Sequence, residues 1–285
     1  MRLAGAPISW GVCEVPGWGY QMSRDRVLRE MTEVGITATE FGPDGFLPDE
    51  PQAKAATLAS YGLKAVGGFV PVVLHDPGFD PVPQINTALD SFVAAGGDVL
   101  VLAANSGLDG YDTRPVLDDL GWSTMFSNLD RLAELARSRG VTPSLHPHVG
   151  TMVQTRDDVM RVLNGSSIPL CLDTGHLLIG GTDPVGIATS FPTRIAHVHV
   201  KDVDASLAAK VQQGELTYQE AVAQGMYVAL GHGDIDFTAI VKALNQVNYN
   251  GWYVMEQDTI LTGEPDDEGP VADVRTSIEY LKALA

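Results

Sequence analysis

Four stretches of this chain each end a short apolar run with side chains of metal-ligand type. They are Ser144-Leu-His-Pro-His-Val-Gly-Thr151, Cys171-Leu-Asp-Thr-Gly-His176, Ile195-Ala-His-Val-His-Val-Lys-Asp202 and Trp252-Tyr-Val-Met-Glu-Gln-Asp258. Imidazole and carboxylate together suit one divalent cation: manganese, cobalt, magnesium or zinc. The seven histidines (His75, His146, His148, His176, His197, His199 and His232) avoid the predicted helices, and most fall at or just past a strand end. A lone histidine is more often structural, and His75 and His232 fit that reading. Along the seventh strand, period-2 geometry puts His197, His199 and Lys201 on one side and Val198 and Val200 on the other. If His199 faces the mouth, His197 lies a layer deeper. Asp173 and Glu256 each close an apolar strand, where an unpartnered carboxylate is costly. Each therefore needs a cation, a hydrogen-bond partner or a raised pKa.

These residues need a frame that gathers strand ends at one place. The hydrophobic pattern predicts strands at Leu3 to Ser9, Ala38 to Phe41, Lys64 to Val72, Asp98 to Ala103, Thr142 to His146, Pro169 to Asp173, Ile195 to Val200 and Gly251 to Met255. Helices are predicted after each. A Ser23 cap opens the first, and Val27, Met31 and Val34 share its apolar face. Leu129, Leu132, Ala133 and Ala136 mark the fourth, Pro184 to Ser190 the sixth, and Phe237, Ile240, Val241 and Leu244, behind an Asp236 cap, the seventh. Eight strand–helix alternations point to a single (β/α)8 TIM barrel spanning 1–285, whose strand ends converge on one face. An open doubly wound sheet is the alternative, without a GxGxxG or P-loop signature behind it. About thirty residues separate Lys201 from Asp236. So long a connection is expected to be a lid or insertion at 203–235, with a helix near Leu216 to Gln224.

Composition narrows the function. At 285 residues and 45% hydrophobic content the chain can build a barrel core. A formal net charge of −18 argues against nucleic acid or an anionic membrane as partner. Two cysteines, Cys13 and Cys171, form no disulfide framework, and the expected location is cytoplasmic.

Over nearly its full length the chain resembles the xylose isomerase-like TIM-barrel superfamily of sugar isomerases and epimerases. Within it the chain is most similar to the inosose dehydratases of myo-inositol catabolism. The residues that carry the resemblance are Pro7-Ile-Ser-Trp10, Thr39-Glu-Phe-Gly-Pro43, His146-Pro-His-Val-Gly-Thr151, Leu172-Asp-Thr-Gly-His176, His197-Val-His-Val-Lys-Asp202, Gly231-His-Gly-Asp-Ile-Asp236 and Gly251-Trp-Tyr-Val-Met-Glu-Gln-Asp258. The resemblance implies a metal held by residues on strands five to eight. Asp173, His199 and Glu256 match the epimerase pattern, whereas His146 stands where those epimerases carry a glutamate. The expected metal ligands are thus His146, Asp173, His199 and Glu256.

The expected reaction is dehydration of a cyclic keto-polyol such as 2-keto-myo-inositol. Loss of one glutamate removes the symmetric carboxylate pair that suits an epimerase, and leaves the cation less neutralised. Glu256 is the candidate base, unless it is only a ligand. His148 and His176 are expected to titrate near neutrality and to protonate a departing hydroxyl. Lys201, Glu40 and Trp10, with His148, are the candidates for holding substrate. A metal-dependent keto-sugar isomerase or epimerase is the alternative, and a non-catalytic sugar-binding barrel the second. A homo-oligomer is compatible with this reading.

Overall fold

The computed structural model describes residues 1–108, 110 and 113–284. Its strands are β1 (Arg2–Gly5), β2 (Ala38–Glu40), β3 (Lys64–Val72), β4 (Val99–Ala104), β5 (Thr142–Leu145), β6 (Leu170–Asp173), β7 (Ile195–Val200), β8 (Asp202–Val203), β9 (Tyr227–Val228) and β10 (Trp252–Met255). The helices are α1 (Arg24–Glu33), α2 (Pro51–Ser60), α3 (Val82–Ala95), α4 (Asp119–Ser138), α5 (Arg156–Gly165), α6 (Thr174–Ile179), α7 (Pro184–Ser190), α8 (Ala205–Gln212), α9 (Tyr218–Ala223), α10 (Phe237–Gln246) and α11 (Pro270–Leu284). β1 to β7 and β10 form a closed parallel barrel in the order β1-β10-β7-β6-β5-β4-β3-β2. Closure rests on β1, which pairs with β10 from Arg2↔Trp252 to Gly5↔Met255 and with β2 at Gly5↔Thr39. The open sheet is thereby excluded.

Side-chain size explains the layering. Inside the barrel, small residues such as Ala4, Ala6, Ala38, Val66, Val101 and Val254 pack where eight strands crowd one axis. Outside it, helix faces cover the strands: Phe237, Ile240, Val241 and Leu244 of α10 are all buried, each contributing about 1.5–3 kcal/mol. Gly67 fits a register break between Thr39 and Glu40, opposite which its φ is +139° and a Cβ would meet Val99 O at 1.8 Å. Such a bulge re-aims the side chain beside it, here Glu40.

Three sequence expectations change. β1 stops at Gly5, because Pro7 starts a 3-10 turn (Pro7–Trp10) closed by left-handed Gly11. α6 was not foreseen: it begins directly at the end of β6, with Asp173 as its cap. His176 therefore lies in a helix after all. Within 203–235 the structure has α9 near its expected place, the unexpected α8, and an antiparallel β8–β9 pair. Among the described residues no helix is long and apolar enough to cross a membrane.

Candidate active site

Asp173, at the end of β6, uses its two oxygens differently. Oδ1 accepts the His176 backbone N–H at 2.7 Å, capping α6. Oδ2 lies 3.1 Å from His146 Nε2 and 3.5 Å from His199 Nδ1. Register puts Asp173 beside His199 in one barrel layer. His197 sits deeper, and both imidazoles give their Nε2 proton to Glu40 Oε1, at 2.8 and 2.9 Å. That fixes the His199 tautomer and leaves its Nδ1 as a lone pair facing Asp173 and Glu256. Glu256 Oε2 lies 2.5 Å from that nitrogen, and among the described residues neither atom has a hydrogen-bond partner.

Two lone pairs this close repel unless a cation or a proton lies between them. The donor atoms of His146, Asp173, His199 and Glu256 all fall within 4.8 Å of one another. Ligands about 2.0–2.2 Å from a shared cation sit roughly 3–3.5 Å apart, so the four fit a divalent ion with little adjustment. The Glu40 carboxylate behind His199 is the outer partner that such a ligand usually has.

Beside the four donors lies buried Lys201. Its Nζ is 2.5 Å from Asp258 Oδ1, 3.3 Å from Glu256 Oε2, 3.6 Å from Asp173 Oδ2 and 3.3 Å from His176 Nε2. Asp258 Oδ2 accepts the Tyr218 hydroxyl at 2.5 Å, and Tyr218 meets the Tyr227 hydroxyl at 2.9 Å. Lys201, Glu256, Asp258 and Tyr218 open on a cavity of about 210 Å³, lined also by Phe69, His146, His148, Glu40, Trp18 and Ile8. His148 and His176 stack at 3.8 Å between ring centroids. Burial holds both well below the ordinary histidine value, reinforced for His148 by His146 and Lys201 and for His176 by His148 and Lys201. Both are therefore neutral near pH 7, which corrects the expectation that they titrate there.

A family model described as the xylose isomerase-like TIM barrel matches residues 28–284. The chain belongs to that family. It is 29% identical over 296 residues to an inosose dehydratase of Geobacillus kaustophilus (strain HTA426), covering 99% of this chain and 94% of that protein. Among solved structures, L-ribulose 3-epimerase superposes with a TM-score of 0.71 at 17% identity, over 99% of this chain and 94% of the other. The IOLI protein with a binding zinc atom does so with a TM-score of 0.71 at 14% identity, over 100% and 98%. This family member is an enzyme of the sugar isomerase or lyase type.

The structure thus brings together His146, Asp173, His199, Glu256, His148, His176, Lys201 and Glu40. It does not bring Trp10: that ring is fully buried, and its Nε1 donates to Glu30 Oε2 at 2.8 Å, away from the cavity. The tryptophan on the lining is Trp18. His75 and His232 do not line the cavity either. Asp202 needs no cation, since it accepts the backbone N–H groups of Val203, Gly231, Gly233 and Ile235. Sequence reasoning missed Tyr218 and Tyr227, and it gave Asp258, quoted at the end of the eighth-strand stretch, no role in the site. The only signal for the tyrosines was the length of the connection that carries them.

Proposed function

We propose that this chain is a divalent-metal-dependent hydro-lyase that removes water from a cyclic keto-polyol of the 2-keto-myo-inositol kind. The observation that carries the reading is the donor set itself, two imidazoles and two carboxylates within 4.8 Å of one another, with His146 where the resemblance to the epimerases implies a glutamate. The inosose dehydratase relative supports the same substrate class. A cation held by His146, Asp173, His199 and Glu256 would polarise the substrate carbonyl and stabilise the enediolate.

The chain's own groups account for the proton movements. Glu256, at the cavity edge, takes the proton from the carbon next to the carbonyl. The hydroxyl one carbon further leaves as water, with a proton from Lys201, the cationic donor on the lining. The neutral imidazole of His148 holds a substrate hydroxyl, His176 packs behind it, and Phe69 offers the ring an apolar face. The residues 203–235 act as a cover that excludes water from the reactive intermediate.

A panel of inososes and keto-sugars with manganese or cobalt tests this. A product one water lighter than 2-keto-myo-inositol, formed only without chelator, is expected. An isobaric product with solvent deuterium at the α-carbon would instead make the chain an isomerase or epimerase.

A further inference from the structure

Lys201 is the one lysine of six that is buried among the described residues. Its ammonium has a choice of carboxylates. Asp173 and Glu256 belong to the donor set of the cation, and Asp258 does not. An ammonium drawn fully onto Asp173 or Glu256 would compete with the cation for the same oxygens and turn from the cavity. Asp258 is the nearest of the three, and it is itself held.

The hold has a direction. Tyr218 has one hydroxyl proton and gives it to Asp258 Oδ2. In the Tyr218–Tyr227 contact, therefore, Tyr227 is the donor. The chain runs Tyr227 to Tyr218 to Asp258, whose other oxygen accepts from Lys201. Both tyrosines belong to the insertion between β7 and α10, which thereby reaches the cavity wall. The Asp173-Thr-Gly-His stretch secures the other side. Thr174 Oγ1 accepts the Lys201 N–H at 2.9 Å and donates to Lys201 O at 2.7 Å. A Cβ on Gly175 would come within 2.7 Å of the Tyr227 ring and 2.8 Å of Lys201 Cβ, so the bare glycine is what lets them pack together.

We propose that Tyr218 and Asp258 form a positioning pair that holds the Lys201 ammonium at the cavity wall and off the metal-ligand carboxylates, with Tyr227 as its outer support. This deepens the dehydratase reading and rests on that site, but its test does not need the reaction.

In the full chain labelled with 15N-lysine and supplemented with zinc, exposed ammonium protons exchange too fast to be seen, whereas the buried one gives a signal identified by its loss in Lys201→Met. Tyr218→Phe, which keeps the ring on His176, is expected to shift or broaden that signal. Bound zinc per chain stays at the wild-type level. Against the inosose the wild type turns over, kcat falls about 10- to 100-fold with KM within about twofold. Asp258→Asn, close in shape, gives a larger effect in the same direction, and decides the matter if Tyr218→Phe does not fold. A signal of wild-type position and width in the folded variants would overturn the proposal. So would a loss of zinc that matches the loss of kcat. A wild type inactive on every inosose would sink the dehydratase reading alone, since the ammonium signal still reports the pair.

Discussion

At the scale of single residues the site works by giving each oxygen and nitrogen its own task, and Asp173 is the sharpest test. One oxygen caps α6 and the other faces His146 and His199. Asparagine keeps the capping oxygen and loses the charge, while alanine loses both. Both Asp173→Asn and Asp173→Ala are therefore expected to lose bound metal. Only the alanine variant should also lose the cap, melting with about 1 kcal/mol less stability than the asparagine variant. Metal content and denaturant unfolding of the chelated variants measure the two effects separately. Full metal retention in Asp173→Asn would remove Asp173 from the ligand set. The grouping of His146, Asp173, His199 and Glu256 was legible because ligand-type side chains at the ends of apolar strands have few bland explanations. Trp10 was misplaced because an aromatic's type does not say which way it faces, and here a partner on α1, Glu30, claims its N–H.

Among the elements, β7 shows what periodicity can deliver. Val198 and Val200 pack outward in the core between strands and helices, while His197, His199 and Lys201 point inward, as alternation requires. α6 escaped notice because it follows β6 without an intervening turn, and its cap was already read as a ligand. The insertion escaped in detail because its tyrosines reach the site through the docking of α9 and β9, which no strand or helix period encodes. Asp202 anchors that docking: it gathers the N–H groups of Gly231 and Gly233, and a Cβ on Gly233 would meet Asp202 Oδ1 at 2.3 Å. We expect residues 203–235 to act as a cover whose order depends on the bound substrate. Amide hydrogen exchange over α8 and α9 should slow when a saturating polyol analogue binds with the metal, and exchange over α4 should not. Equal exchange with and without ligand would make the insertion a fixed wall.

For the molecule as a whole, the barrel was the most legible feature, because eight alternating elements with turn signals leave few other closed arrangements. Its consequence is a buried polar floor, and burial makes stability depend on pH in two opposing ways once metal is stripped away. Burial lowers the folded-state pKa of His148, His176 and His197. Unfolded histidines titrate near about 6.5, so just below that pH the unfolded chain binds more protons than the folded one, and stability falls as pH falls. His199 behaves oppositely. Burial opposes its charge, but Cys171 and the carboxylates of Glu256 and Glu40 outweigh burial and hold its pKa well above the ordinary value. Its contribution is fully present below about pH 6.5 and is lost as pH rises through the folded-state value. Chelator-treated protein should accordingly be most stable near neutral pH and decline on both sides. In the metal-loaded protein a cation replaces the His199 proton and binds more tightly as protons become scarce, so the alkaline decline should disappear while the acid limb steepens. Unfolding midpoints from about pH 5 to 9, with chelator and with manganese, measure both limbs. Curves of the same shape in the two conditions would mean that His199 does not exchange its proton for the metal.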